Sequence, residues 1–330
     1  MNPFSNRKLL QHLDRLVEWK ATGSTRPVVL DLHPTNRCNH NCPACNGFKD
    51  NSAEFEFRAI QNVMRDAVDQ LGVKAVYLSG GGEPLMHPEA AEIIDYATQR
   101  LHVKVGLITN GELLAGDKAK SAQQCEWVRV SLDAGGPERH ARTHGTRSWD
   151  AVVQNLADFI LNRGACTVGI SYLLYDHALD IEDLAGALRV TKEVGADYLE
   201  VKPLAGRHGV SLETEQYVRV LANVSDVPIL CPPSYDKPTR DYDLCHSQHF
   251  MMTVTANGDA YRCCELAMKS TEGPYGNVLI DGVSKTWFSN ERLRRAVTSC
   301  AKCPCPCRNH AANQTLHELF CTPVQHSEFI

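Results

Sequence analysis

The chain has 330 residues, enough for one large domain with an appendage or for two ordinary domains, and its composition is that of a globular protein. With 34 Lys and Arg against 39 Asp and Glu and no basic cluster, it carries no footprint for nucleic acid or anionic lipid, so a small or neutral partner is expected. The start, MNPFSNRKLLQHLDRLVEWK, holds no apolar run of signal-peptide length, and no later stretch approaches the roughly 20 apolar residues that cross a bilayer, so no membrane contact and a cytoplasmic location are expected.

An N-terminal helical extension is expected over 1–27, and short apolar segments then recur at 28–35, 75–82, 103–111, 127–134, 167–175 and 198–204. Several are β-branched over consecutive residues, the pattern of strands buried on both faces. Between them, 57–71, 88–101, 149–163 and 180–195 have helical spacing, and 113–126 has a weaker version of it. Strands alternating with helices imply a parallel sheet of right-handed units. Six units fall short of the eight-fold barrel, so the fold class is α/β, a partial (β/α)6 TIM-like barrel over 28–205 with its chemistry at the C-terminal strand ends.

The pattern changes afterwards. A linker with Pro228, Pro232, Pro233 and Pro238 is expected over 206–244, and a small cysteine-rich α+β domain over 245–330. In it, FMMTVTANGDAYRCC (250–264) is a hairpin signal, with Asn257 and Gly258 between β-prone runs.

Fourteen cysteines in a reducing compartment point to metal ligation more than to disulfides. Three lie in TNRCNHNCPAC (35–45), directly after the first strand. Thiolates are the usual ligands of a four-iron cubane, and three of them leave one iron open for chemistry. The other readings of Cys38, Cys42 and Cys45 are a zinc loop completed by His33 or His40, or reduced unligated thiols. Cys125 and Cys166, isolated beside apolar strands, read as small buried hydrophobes. Glu200 and Lys202 share one face of the sixth strand: inward they would meet cofactor or substrate, outward they would form a surface ion pair.

C-x3-C-x2-C after the first strand of an α/β barrel resembles the radical S-adenosylmethionine superfamily. In that family the fourth iron is chelated by S-adenosylmethionine, whose reductive cleavage yields a 5'-deoxyadenosyl radical that abstracts hydrogen from the substrate. Further motifs close the next strands in the family's order. Gly80, Gly81, Gly82 and Glu83 resemble its GGE motif, Thr109-Asn110-Gly111 its TNG, and Ser131-Leu132-Asp133 its SLD. The resemblance implies cofactor contacts from Gly80, Gly81, Gly82, Glu83, Asn110, Ser131 and Asp133. In PERHARTHGTRSWDAV (137–152) the family has an arginine before the glycine; here His144 stands there, and Arg142 is the candidate for that role. The residue before the third cysteine, often aromatic in peptide-modifying relatives, is Ala44.

The tail resembles the SPASM and Twitch tails that hold one or two auxiliary iron-sulfur clusters. Cys245, Gly258 and Cys263 fit their C-x(9-15)-G-x4-C opening, while CAKCPCPC (300–307) departs from the second cysteine group. One auxiliary [4Fe-4S] cluster on Cys245, Cys263, Cys300 and Cys303 is the simplest assignment. A second cluster would use Cys231 or Cys264 with Cys305, Cys307 and Cys321. The alternative from the spacing alone is a zinc ribbon.

The resemblance implies an enzyme with an external electron donor such as flavodoxin or ferredoxin. Ala44, and the lack of a peptide-recognition domain in the 27 residues before the first strand, favour a small-molecule substrate, a sugar-like or aminocyclitol metabolite undergoing dehydrogenation or a related radical transformation. The alternatives are a peptide maturase that crosslinks or epimerises a ribosomal peptide, with Cys264 or Cys231 as hydrogen donor for epimerisation, and a non-catalytic iron-sulfur or zinc protein.

Overall fold

The structure is a computed structural model that describes residues 6–45, 47, 52–175, 177–204, 212–231, 242–269, 272–297, 299, 303, 307 and 309–322. Its centre is a parallel sheet. In order across it run β1 (Val29–Leu32), β2 (Ala75–Leu78), β3 (Lys104–Thr109), β4 (Trp127–Ser131), β5 (Thr167–Leu174), β6 (Tyr198–Pro203) and β7 (Ile229–Leu230). The six expected strands are β1 to β6, and the architecture is the expected partial TIM-like barrel.

The helices follow in sequence: α1 (Leu13–Thr22), α2 (Phe57–Leu71), α3 (Ala90–Asp95), α4 (Gly116–Ala122), α5 (Pro137–His144), α6 (Trp149–Asn162), α7 (His177–Val194) and α8 (Leu212–Val224). The 88–101 pattern is α3 continued by a single wide turn over Tyr96–Arg100. Three elements depart from the sequence expectation. Helix α5 forms where only a motif was read, and the 206–244 span, expected as a linker, contributes α8 and β7.

Strand alternation divides the sheet into two faces. Leu30, Leu32, Val76, Val105, Leu107, Val128, Val130, Ile170 and Leu199 are buried against the helices. Helix α2 answers with Ile60, Val63, Met64, Ala67 and Leu71, one apolar stripe at helical spacing. Each large aliphatic side chain buried there contributes about 1.5–3 kcal/mol relative to exposure. The opposite face is aromatic and polar: Tyr77 and Trp127 meet edge-on at 5.5 Å. A Cβ on Gly169 would stand 2.0 Å from the Tyr198 ring, and one on Gly106 2.2 Å from Trp127, so these two positions must stay bare for the floor to close.

The tail joins the same sheet. β8 (Met251–Val254) pairs parallel with the free side of β1, and β9 (Asp259–Tyr261) and β10 (Gly276–Asn277) continue antiparallel beyond it. The expected hairpin is β8 and β9, turning at Gly258 with φ 81°. Short helices follow: α9 (Cys264–Lys269), α10 (Val278–Asp281), α11 (Val283–Trp287), α12 (Asn290–Ala296) and α13 (His310–Phe320). Two contacts anchor the N-terminal segment. Buried Arg15 of α1 donates to the Leu71 and Gly72 carbonyls, satisfying the C-terminus of α2, and Trp287 Nε1 donates to Thr25 O at 2.9 Å.

Candidate active site

The three loop cysteines stand just beyond the C-terminal end of β1, with Cys38 and Cys45 exposed and Cys42 half-buried. The loop turns its sulfurs toward backbone donors: His40 N donates to Cys38 Sγ at 3.4 Å and Gly47 N to Cys45 Sγ at 3.2 Å. Burial, then the charges of Cys45, Asp133 and Cys38, push the Cys42 thiol up to about 12. Burial raises Cys38 as well. A cation that replaces the protons of Cys38 and Cys42 would stabilise them as thiolates, and the three-sulfur donor set fits an iron-sulfur cluster.

The glycine run at the end of β2 carries this loop. A Cβ on Gly82 would lie 2.2 Å from Arg37 O and 2.5 Å from Asn36 C, so the loop rests on bare backbone. Glu83 works inward instead of toward solvent. Its amide donates to Arg37 O at 2.8 Å, and its buried carboxylate accepts from Thr109 Oγ1 at 2.6 Å, Asn110 N at 2.7 Å and Leu85 N at 3.0 Å. One carboxylate thus ties the ends of β2 and β3 beneath the cysteines. Asn110 reaches across to the loop, donating through Nδ2 to Asn39 Oδ1 at 2.8 Å.

Ser131, half-buried, ends β4 beside Ser171 of β5. Asp133 sits at φ 50°, a conformation that Asp tolerates better than most residues, and accepts from Leu173 N at 2.9 Å. Burial raises its carboxyl to about 7, against the opposing charge of Lys202. Glu200 and Lys202 face inward: Glu200 is 3 % exposed, 2.6 Å from Arg129 and 3.4 Å from Lys202 Nζ. Lys202 keeps 29 % of its side chain exposed, and burial followed by the Arg129 charge lowers its pKa.

A histidine cluster that the sequence reading did not single out backs the cysteine loop. His40 and His144 approach Nδ1 to Nδ1 at 3.0 Å, His40 Nε2 is 2.7 Å from Glu112 Oε2, and the rings of His140 and His144 stack at 4.5 Å. His144 Nδ1 lies 3.6 Å from Cys42 Sγ and its Nε2 lies 3.7 Å from Asp133. Burial, with mutual repulsion, lowers His140 to about 4 and His144 to about 3, so both rings are neutral near pH 7. The signal in the sequence was the His140-x3-His144 spacing closed by Gly145. Gly145 caps α5 at φ 64°, where a Cβ would meet Asn41 O at 2.3 Å, and His144 O accepts from Asn41 N. Arg142 is exposed on α5, whereas Arg139 is buried, 3.5 Å from Asp183 and over the Tyr172 ring.

In the tail, an antiparallel bridge between Leu244 and Ser299 draws the two cysteine groups together. Cys245, Cys263, Cys303 and Cys307 are half-buried, Cys264 is buried and Cys321 exposed; Cys300 and Cys305 lie outside the described residues. Asn313 Nδ2 donates to Cys245 Sγ at 3.5 Å. Cys231 packs against the main core. Cys125 and Cys166 are buried, their thiols pushed up by burial, as expected of small hydrophobes.

Residues 32–188 match the model of the Radical SAM superfamily. This span is a radical SAM domain, and the protein is an enzyme of radical chemistry whose cofactors are a [4Fe-4S] cluster and S-adenosylmethionine. The chain is 27% identical over 314 residues to the mycofactocin maturase MftC of Mycobacterium ulcerans, covering 88% of this chain and 83% of that one. It is 24% identical over 293 residues to the PqqA peptide cyclase of Streptomyces rochei, covering 82% and 77%. Among solved structures, Streptococcus suis SuiB bound to the precursor peptide SuiA superposes with a TM-score of 0.69 at 14% identity, over 86% of this chain and 69% of that one, a likeness of fold. Among the described residues, no helix is long and apolar enough to cross a membrane.

These relatives correct the substrate first expected. A sugar-like or aminocyclitol metabolite is set aside, because the relatives matching most of the chain are named for maturing or cyclising peptides. Ala44 was a poor guide, being one small half-buried side chain on the cysteine loop.

Proposed function

We propose that the protein is a radical SAM peptide maturase that crosslinks a ribosomally made precursor peptide. The likeness to MftC across most of both chains carries this reading. Epimerisation needs a thiol able to return a hydrogen atom to the product. Cys264 is 4% exposed and Cys231 packs on the core, which favours crosslinking.

In this reading Cys38, Cys42 and Cys45 hold three irons and leave the fourth for S-adenosylmethionine. Bound there, cluster and S-adenosylmethionine supply a 5'-deoxyadenosyl radical that abstracts hydrogen. The backbone of Gly80, Gly81 and Gly82, with Asn110, Ser131 and Asp133, lines the cofactor's place at the strand ends. Glu83 holds those ends in register and does not itself reach the cofactor, since its oxygens are engaged by Thr109, Asn110 and Leu85. Lys202, inward and partly exposed, presents a cation to the peptide, while Arg129 compensates Glu200 beneath it.

We assign the radical SAM core to 28–205, extended by α8 and β7, and an auxiliary domain to 245–330. Cys245, Cys263, Cys300 and Cys303 are its cluster ligands, and a flavodoxin or ferredoxin is the electron donor. The test uses anaerobically reconstituted protein with dithionite, S-adenosylmethionine and deuterated precursor peptides encoded beside its gene. Deuterium should enter 5'-deoxyadenosine, and the peptide should lose the mass of two hydrogens. Transfer from small metabolites but from no peptide would sink the reading.

A further inference from the structure

Away from the cysteine loop, three metal-competent side chains meet where the tail begins and ends. His246 precedes β8, and His317 and Cys321 are four residues apart at the C-terminal end of α13, on one face. The donor atoms of His246, His317 and Cys321 all lie within 4.8 Å of one another. Cys321 Sγ is 3.7 Å from His246 Nε2, and the two imidazoles are near parallel at 6.0 Å and 11°. His246 is buried under Trp19 of α1, whose ring centroid is 5.2 Å away, while Cys321 is exposed, so solvent reaches the site from one side.

We propose that His246, His317 and Cys321 bind one zinc ion, separate from every iron-sulfur cluster of the protein. The donor set is the first reason: two imidazoles and one thiolate suit zinc, whereas cubane clusters are held by thiolates. Spacing is the second. Zinc bonds of about 2.3 Å to sulfur and 2.0 Å to nitrogen set a tetrahedral S to N separation of roughly 3.5 Å, close to the observed approach of Cys321 to His246. On binding, the Cys321 thiol releases its proton to solvent and water completes the fourth position. The ion then fastens the last helix to the segment that opens the tail, against α1. This assignment removes Cys321 from the ligands of a second auxiliary cluster and does not depend on which substrate the enzyme uses.

The test takes the anaerobically purified, cluster-reconstituted protein, incubated with zinc and desalted, and measures zinc, iron and sulfide per chain. About one zinc per chain is expected. Zinc-edge X-ray absorption on the unsubstituted protein should give one sulfur and two nitrogens in the coordination shell, a readout that needs no variant to fold. Cys321→Ser and His317→Gln should each weaken zinc retention by more than about a hundredfold, beyond what loss of an outer-shell partner costs, with iron and sulfide unchanged. Absence of zinc from the unsubstituted protein, a four-sulfur environment, or loss of iron and sulfide in Cys321→Ser would each overturn the proposal.

Discussion

The Nδ1 atoms of His40 and His144 stand 3.0 Å apart, and only one of them can carry the shared proton. Glu112, 2.7 Å from His40 Nε2, accepts from that nitrogen and leaves His40 Nδ1 as the acceptor. His144 Nδ1–H is therefore the donor to His40, and the same hydrogen is shared more weakly with Cys42 Sγ, 3.6 Å away. Hydrogen bonds to ligating sulfurs raise a cluster's reduction potential. His144→Ala should lower the midpoint of a cluster held by Cys38, Cys42 and Cys45, the ligands proposed above, by roughly 50 mV, the order of one ordinary hydrogen bond. Glu112→Gln should move it in the same direction by less. A redox titration followed by electron paramagnetic resonance reads both; an unchanged midpoint in His144→Ala refutes the link.

Asp133 makes stability fall as pH rises. Its carboxyl is held near 7 in the fold, well above the value near 4 of an unfolded chain, so between these pH values the native state keeps a proton that the unfolded state has lost. The group's contribution is complete below about pH 4 and is lost as pH climbs through 7. Asp133→Asn keeps the acceptor for Leu173 N and tolerates the same φ, but cannot ionise. Urea midpoints of the cluster-free protein should show the variant gaining roughly 2 kcal/mol on the parent between pH 5 and pH 8. Parallel curves would mean that Asp133 is ionised throughout.

The Arg129 and Glu200 pair, 2.6 Å apart with Glu200 almost fully buried, is sensitive to loss of one partner. Arg129→Met leaves a carboxylate in the barrel with Lys202 alone to answer it, and should cost about 3–5 kcal/mol. Arg129→Met combined with Glu200→Gln should recover most of that loss. Denaturant melts of the two variants decide it, and equal losses would show that Arg129 matters by packing on Trp127 instead.

Gly82→Ala tests the bare backbone under the cysteine loop. The added methyl collides with Arg37 O and Asn36 C, both main-chain atoms that cannot rotate away. The loop must shift by more than an ångström. Iron per chain should fall severalfold after reconstitution while far-ultraviolet circular dichroism stays unchanged, since the atoms the methyl meets belong to the loop. Full iron loading would show that the loop has slack.

The barrel strands were legible because each carries a short run of apolar, often β-branched residues, and α2 because its stripe holds a strict helical period over Phe57–Leu71. Helix α5 escaped for the opposite reason. Its buried side chains are Arg139, His140, Thr143 and His144, so a pattern built on apolar spacing passes over it. The histidine cluster it delivers was hidden with it. The placement of β8 beside β1 joins positions more than 200 residues apart, which no local pattern encodes. The ion-pair cluster of the inner face was illegible for a related reason: Arg129 of β4 meets Glu200 and Lys202 of β6 across the sheet, and none of them belongs to a motif.

The pairing of β1 with β8 also bears on how the protein is made. When a ribosome has released the first 240 or so residues, β1 already carries the cysteine loop and has β2 on one side, but its other edge has no partner until β8 emerges. Closing that gap carries the entropy of a very long loop and places the step late in folding. Until then the row of free amides and carbonyls along β1 is open to strands of other chains. A protein cut short before β8 would therefore aggregate through the strand that launches its cluster loop, and the tail acts as the barrel's own edge guard, whatever metal it holds.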